Sequence, residues 1–286
     1  QTKGIGLFCY AKEAAVIRDD VRPAAQFLYE LQKNLSARIR VLFPADKSGV
    51  LEAMLLGNKT DLEAETKSLY QKSGMSHLLA ISGLHVSIFG MTLFRFLRKI
   101  GGSLRSSGMS ALLVVLLYGF LTGMGISTSR AVVMFALLII GEMLGKSYDM
   151  LTALALGAIL LLLQQPLYVR SASFLLSFGA VTGIGLIFPA LKMLFLPKNS
   201  RWAKRAEPLL FSVSIQMMTL PMVEYFYSEI PLYAVLLNLI VIPLMTVVMF
   251  TGILAVGISF GLPGLARVPA FLCGVILEFY ERLGTV

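Results

Sequence analysis

The pattern of apolar and polar positions divides the chain into a mixed N-terminal part and a long apolar part. One helical face between residues 22 and 43 carries the apolar residues Phe27, Leu28, Leu31, Leu35, Ile39 and Leu42. This spacing predicts an amphipathic helix. A second short helix is predicted from Ser48 to Leu56, because Gly57-Asn58 is a typical helix stop. Residues 1–20 contain GIGLFCY, an apolar stretch that is compatible with the last β-strand of a domain beginning upstream.

The apolar part begins at Ser73, and its first 22 residues, to Phe94, contain no Asp, Glu, Lys or Arg. At about 1.5 Å per helical residue, this length spans a bilayer core of about 30 Å. Further apolar runs lie at 109–126, 131–145, 150–165, 171–191, 209–223, 232–260 and 268–283; the 131–145 run contains Glu142, and the last run is interrupted by Glu278. We therefore predict an all-α polytopic membrane protein with a bundle of about eight transmembrane helices. The 232–260 run contains Pro243 and is compatible with one kinked helix or with two short ones.

Composition excludes an ordinary soluble domain. The chain is 57% hydrophobic and 14% charged, with a mean hydropathy of +0.79, whereas soluble domains carry about 25% charged residues. Cys9 and Cys273 lie in different contexts, the first polar and the second apolar, so no disulfide framework is indicated. No His or Cys cluster has metal-ligand spacing, and we predict neither a metal site nor a cofactor.

The net charge of +9 is distributed unevenly over the loops. The loops after the first, third and fifth predicted spans contain the basic residues Arg98, Lys99, Arg105, Lys146, Lys192, Lys198, Arg201, Lys204 and Arg205. The positive-inside rule places these loops in the cytoplasm. We then expect three parts: residues 1–20 end an extracytoplasmic domain, 21–72 form amphipathic helices at the outer membrane face, and 73–286 form a transmembrane domain that is truncated at its C-terminus.

Residues 76–91, SHLLAISGLHVSIFGM, place polar groups inside the first predicted span. Both histidines of the chain, His77 and His85, lie here, about 80° apart around one straight helix, which does not suit joint metal binding. Gly83 costs about 1 kcal/mol relative to alanine in a helix interior. Two interpretations stay open: a kinked helix whose hydroxyls bond to the preceding turn, or a discontinuous helix lining a solute path.

Four charged residues, Arg130, Glu142, Arg170 and Glu224, lie at or just inside the ends of predicted spans. Near a span end such side chains can reach the interface at low cost. Alternatively they line a polar passage, in which case Arg130 and Arg170 would lie near an external mouth and could meet an anion.

Glycines four residues apart occur within several of the apolar runs. Small residues at this spacing let membrane helices approach closely. We therefore assign Gly119, Gly123, Gly179 and Gly183 to helix packing.

The segment GMSHLLAISGLHV (74–86) resembles the signature of the ComEC competence proteins, the inner-membrane DNA channels of natural transformation. The resemblance extends in order over roughly residues 50–250. It includes AMLLGNKTDLEAETKSLYQKSG (53–74), GISTSRAVVM (125–134), the segment 147–184 and LPMVEYFYSEIPLYAVLLNLIVIPLM (220–245). Leu175 departs from the family pattern, which often has Gln there, and we therefore do not assign this span to the DNA path.

The resemblance implies a multi-pass channel in the cytoplasmic membrane that takes up single-stranded DNA, and not an enzyme. No His-x-His-x-Asp-His run is present, so the family's nuclease-like metallo-β-lactamase domain is not expected in this chain; only residues 1–20 would belong to its N-terminal OB-like domain. The implied partners are single-stranded DNA, the lipid bilayer and other competence proteins, such as a DNA receptor and a cytoplasmic translocation ATPase. Candidate residues for the DNA path are Ser82, Gly83, His85, His77, Arg130 and Arg170.

Two other function classes remain. A small-solute or ion transporter also uses broken helices and intramembrane charges, although no inverted repeat is visible. An intramembrane hydrolase would need a nucleophile near a histidine, and the sequence offers Ser82 or Ser87.

Overall fold

The computed structural model describes residues 23–79, 81, 83–195, 201–228 and 234–284, and these residues contain helices but no strand. The N-terminal GIGLFCY segment, and with it the possible strand, lies outside them. Twelve α-helices follow one another in the described ranges: α1 Pro23–Leu42, α2 Ala45–Leu56, α3 Ala64–Lys72, α4 Gly83–Lys99, α5 Leu104–Leu121, α6 Ile126–Met143, α7 Met150–Gln164, α8 Ala172–Thr182, α9 Phe188–Phe195, α10 Arg201–Tyr227, α11 Ala234–Ser259 and α12 Pro263–Gly284. Short 3₁₀ turns occupy Ser76–Leu79 and Pro166–Arg170, and a π-helical turn, Gly183–Ile187, joins α8 to α9.

The all-α polytopic class is confirmed. Within the described ranges, six helical segments are long and apolar enough to cross a membrane: Leu104–Leu121, Ile126–Met143, Ala172–Phe195, Arg205–Tyr227, Leu237–Ser259 and Pro263–Gly284. The predicted number of membrane spans, about eight, exceeds these six for two reasons. The 73–94 run is not one helix, because helical structure is interrupted before Gly83. The 150–165 run forms α7, whose 15 residues extend only about 22 Å.

The 232–260 run forms one continuous helix, α11, with Pro243 inside it. Proline in a helix interior removes one backbone hydrogen bond, but neighbouring helices satisfy such freed groups in membrane proteins. The alternative of two short helices is therefore not what the chain adopts.

Buried apolar side chains form three clusters. The first lies between α1, α2 and the α11–α12 pair, the second between α4, α5 and α6, and the third between α7 and α8. The first two clusters meet at Tyr118 of α5, whose hydroxyl donates a hydrogen bond to the carbonyl oxygen of Leu55 in α2 (2.9 Å).

Helix α2 is buried along most of its length. All residues from Ser48 to Leu56 are buried, and Leu51 and Leu55 lie against Gly252 of α11. The predicted stop is confirmed: Gly57 adopts a left-handed conformation (φ 71°) directly after the helix. α1 buries most of the predicted apolar face, with Ile39 buried and the leucines partly buried, but Phe27 of that face is 65% exposed. The N-terminal helices therefore pack on the last two membrane helices, while their position at the outer membrane face remains a prediction.

The π-helical turn between α8 and α9 has a local cause. Pro189 has no N–H to donate to the carbonyl of Gly185, four residues earlier. The helix widens instead, and the N–H of Phe188 donates to the carbonyl of Gly183, five residues earlier. Gly183 also lies against α10: a Cβ atom there would be 2.6 Å from the backbone oxygen of Ser214 and 3.3 Å from the Cα of Ile215.

Gly183→Ala is therefore expected to force α8 away from α10 and to destabilise the protein. The obstacle is backbone, which cannot rotate away as a side chain can, and overpacking of this kind costs about 1–3 kcal/mol. The measurement is the temperature at which the detergent-solubilised protein loses its folded, monodisperse form.

Gly257→Ala is the matched control. Gly257 is also inside a membrane helix, α11, but a Cβ atom there would meet nothing within 4 Å. The alanine there should be neutral or slightly stabilising. Equal unfolding temperatures for the two variants would contradict a close contact between α8 and α10.

Candidate functional site

The polar segment of the sequence forms an interrupted helix. Residues Ser76–Leu79 make a 3₁₀ turn, and the regular helix α4 begins only at Gly83. The described residues of this segment are therefore discontinuous and do not form one kinked helix, while the solute path remains a prediction. Ser82 lies outside the described residues.

Gly83 lies directly against a side chain of α6. A Cβ atom at position 83 would lie 2.1 Å from Nη2 and 3.0 Å from Cζ of Arg130, far inside van der Waals contact. The guanidinium of Arg130 therefore packs directly on the first residue of α4. The glycine of the motif allows a charged group from another helix to reach the break.

Arg130 is held from a third helix as well. Its Nε donates a hydrogen bond to the hydroxyl of Ser177 in α8 (2.9 Å), and its Cζ lies 5.9 Å from the ring centre of Phe178. Nη1 contacts the sulfur of Met134, one turn along α6 (3.4 Å). Arg130 is only 7% exposed, so it links α4, α6 and α8 from inside the bundle and does not extend to the interface.

Ser177 and Phe178 were missed by the sequence analysis. Leu175, where the ComEC pattern often has Gln, was the reason for leaving this span out of the DNA path. The signal was nevertheless present, since a Ser-Phe pair occurs on each side of Leu175 in SFLLSF (173–178), and Arg130 meets the second pair, Ser177-Phe178.

Both histidines are enclosed next to the break. His85, in the first turn of α4, is completely buried. Nδ1 of His77 lies 3.2 Å from the carbonyl oxygen of Gly74, and its Nε2 is buried without a hydrogen-bond partner in the described part of the chain. Within that part, no group of three His, Cys, Asp or Glu side chains is arranged to hold a metal ion.

Ser87, one of the two nucleophiles considered for a hydrolase, is exposed, whereas His85 is buried. Because Ser87 and His85 are two residues apart on one helix, their side chains point about 200° apart around the helix axis. The described residues of this segment thus do not form a nucleophile–base pair.

Arg170 is separated from this cluster. It ends the 3₁₀ turn Pro166–Arg170 and is exposed. Arg130 and Arg170 were predicted together, but only Arg130 is drawn into the bundle.

The four glycines assigned to helix packing have different surroundings. A Cβ atom at Gly119 would meet Met124 and Val132, and one at Gly179 would meet Met222 of α10. Gly183 is the closest of the four to a neighbouring backbone. Gly123 lies beyond the end of α5 with φ +84° and open space around it, so its role is conformational: it lets the chain turn into α6.

The cluster lies within a region that is similar to known proteins. A family profile described as "Competence protein" matches residues 54–285, which is most of the chain. The chain belongs to the competence protein family. The predicted resemblance to the ComEC membrane domain is confirmed, and the matched region includes the helix break, Arg130 and Ser177.

Individual relatives agree with this assignment. The chain is 30% identical over 228 residues to ComE operon protein 3 of Bacillus subtilis, covering 79% of this chain and 28% of that protein. It is 27% identical to competence protein ComA of Neisseria gonorrhoeae (85% and 35%) and 26% identical to recombination protein 2 of Haemophilus influenzae (85% and 32%). The chain thus spans about a third of the length of these curated relatives. No solved structure matches it.

Proposed function

We propose that this chain is the membrane domain of a channel through which single-stranded DNA crosses the cytoplasmic membrane during natural transformation. Membership of the competence family supports a role in DNA uptake. The observation that carries the channel itself is the interruption before α4, where the first residue of the helix is packed against the buried guanidinium of Arg130. Broken helices and buried charges are the features by which membrane proteins line solute paths.

The orientation of the domain is proposed from the charge of its loops. The proposed topology has eight crossings and therefore includes α4 and the short helix α7; it places the external mouth at the start of α4 and α6, with exposed Arg170 on the same side, and the basic loops in the cytoplasm. Part of the inner charge is neutralised, since Lys192 of α9 forms an ion pair with Glu207 of α10. The DNA receptor and the translocation ATPase would act on opposite sides of this domain. Residues 1–20 would connect it to an extracytoplasmic domain.

His85→Ala in the full-length protein tests this proposal. His85 is completely buried in the first turn of α4, so losing its ring leaves a cavity and unmatched polar groups at the break. We expect transformation frequency to fall by at least about tenfold, the factor that corresponds to about 1.4 kcal/mol. The membrane level of the variant is measured by immunoblot.

Ser87→Ala is the matched control, because Ser87 lies on the same helix two residues later and is exposed. It should transform normally. Normal transformation by His85→Ala at a normal protein level would leave the interrupted segment with a structural role only and would remove the observation on which the channel proposal depends.

A further inference from the structure

The connection between α6 and α7 lies deeper in the bundle than the helix end beside it. α7 and the span Ala172–Phe195 are joined at one end through the short turn Pro166–Arg170, but they contain 15 and 24 residues. At about 1.5 Å per residue, α7 is shorter than its neighbour by about 13 Å. The free end of α7 therefore stops short of the end of α9. Residues 144–149, which lead into this end of α7, are called the recessed loop below.

A packing contact indicates the same depth. A Cβ atom at Gly185 would lie 2.5 Å from Leu151 and 3.0 Å from Met150, the first two residues of α7. Gly185 precedes Phe195, the last residue of α9, by about 15 Å of helix. The start of α7 thus packs on the middle of the neighbouring span and not on its end.

The recessed loop presents polar side chains and one aromatic ring. Lys146, Ser147 and Asp149 are exposed, and the carboxylate of Asp149 accepts a hydrogen bond from the amide of Thr152 (2.7 Å), which fixes the loop to the start of α7. Charged residues at such a depth ordinarily face a water-filled space. Tyr148 is the aromatic residue of this loop, and it is partly buried.

Tyr148 lies near the guanidinium of Arg130. The two side chains are close enough for an electrostatic interaction between the phenol and the guanidinium. The packing contacts agree with this, because Ser177, which binds Arg130, and Gly185, which meets the start of α7, are only about 12 Å apart on one span. The side chain of Tyr148 therefore lies between the recessed loop and the polar cluster next to α4.

We propose that the ring of Tyr148 stacks on a base of the single strand where the strand passes from the Arg130 cluster to the recessed loop. This inference rests on the proposed function and names a substrate contact on the side of the basic loops. Every base has an aromatic face, so one tyrosine can hold a strand of any sequence. A tyrosine that anchors a protein at the lipid interface lies at the end of a span, whereas Tyr148 lies about 13 Å short of the end of α9.

The test is binding of a fluorescent oligothymidine to the full-length protein in nanodiscs of uncharged lipid. Loss of one stacked base weakens the binding of a single strand by about fivefold or more. Tyr148→Ala should raise the dissociation constant by that factor, whereas Tyr148→Phe keeps the ring and should bind like the unaltered protein.

Tyr225→Ala is the matched control. Tyr225 is 82% exposed and lies near the end of α10, whereas the start of α10 lies beside α9 through the ion pair of Lys192 with Glu207. Tyr225 is thus at the end of the bundle away from the end of α9, and its loss should leave the dissociation constant unchanged.

An abasic strand separates stacking from a structural role of Tyr148. It has the same phosphates but no bases, so Tyr148→Ala and the unaltered protein should bind it equally. If Tyr148→Ala weakens the binding of both strands to the same extent, or if Tyr148→Phe behaves like Tyr148→Ala, the stacking contact is wrong. If Tyr148→Ala binds oligothymidine as well as the unaltered protein does, the contact is wrong and the channel stands. If the unaltered protein binds no oligothymidine, both proposals fail.

A second measurement needs no variant and covers the case that Tyr148→Ala does not fold. A strand that contains 5-bromouracil in place of thymine forms a covalent bond to an adjacent aromatic side chain when it is irradiated. Mass spectrometry of the unaltered protein should then identify Tyr148 among the crosslinked residues. Crosslinks to other residues without one to Tyr148 would overturn the base contact.

Discussion

Replacing Gly83 with alanine is expected to reduce transformation at least about tenfold while the protein still inserts into the membrane. The new Cβ would lie 2.1 Å from Nη2 of Arg130. A long side chain can often move away, but this one is tethered to Ser177 and buried beside Phe178. Overpacking at such a site costs about 1–3 kcal/mol. The measurement is transformation frequency, with the membrane level of the protein determined by immunoblot.

Gly274→Ala is the control for this change. Gly274 is in α12, where an added Cβ meets nothing within 4 Å, so its alanine variant should transform normally. A second change identifies the colliding partner: Arg130→Lys removes the forked end of the side chain, and the double variant should transform better than Gly83→Ala alone. Normal transformation by Gly83→Ala would mean that Arg130 does not occupy the break.

Replacing Arg40 with alanine is expected to lower the unfolding temperature of the N-terminal helices by roughly 5–10 °C. Glu52 of α2 is only 1% exposed, and Nε of Arg40 donates a hydrogen bond to its carboxylate (2.9 Å). Asn58 donates a second one (3.0 Å), and Arg40 also pairs with Asp61. The hydrogen bond and the charge of Glu52 raise the pKa of Arg40, which stays protonated. Without Arg40, the buried carboxylate of Glu52 would accept a hydrogen bond from the uncharged amide of Asn58 but would have no positive partner.

Cys273 provides the measurement for the Arg40 variant. It is buried in the cluster that α1 and α2 form with α11 and α12. In a variant in which Cys9 is replaced by serine, the temperature at which maleimide labels Cys273 reports the opening of this cluster.

Arg38→Ala is the control, since Arg38 lies on the same helix but makes a cation–π contact with Phe260, which is worth little at an exposed site. Adding Glu52→Gln to Arg40→Ala should recover most of the loss, because the buried charge is then gone. If maleimide labels Cys273 at the same temperature in the Arg38→Ala and Arg40→Ala variants, burial of the Glu52 carboxylate does not require Arg40.

The membrane helices were predictable because their signal is local. An uncharged apolar run has the same meaning wherever it lies in a membrane protein, and each predicted run after residue 100 corresponds to a helix or helix pair. The interruption before Gly83 was also visible, since glycine and polar residues in an apolar run are local features. The sequence did not distinguish a kink from a break, because the same residues are compatible with both.

The contacts that form the site were not predictable in this way. About 47 residues separate Gly83 from Arg130, and about 47 separate Arg130 from Ser177. The sequence does not indicate which helices pack against one another. Arg130 lies near the start of α6, where a charge can equally reach the interface or turn inward. Only the packing of α4, α6 and α8 decides between them. The burial of α2 was missed for the same reason, because its apolar positions alone do not indicate that it packs against α11.

The wide turn at Gly183–Ile187 has a consequence for how this span can vary among relatives. A π-helical turn holds one residue more than the α-helical turn that it replaces. Deleting that residue would restore a regular α-helical turn and keep both halves of the span near their present angles. A deletion elsewhere in α8 or α9 would rotate one half of the span against the other by about 100°. Either Ser177 would then leave Arg130 or Lys192 would leave Glu207. The wide turn is thus a place where this span can lose one residue and still keep both the contact of Ser177 with Arg130 and the ion pair of Lys192 with Glu207.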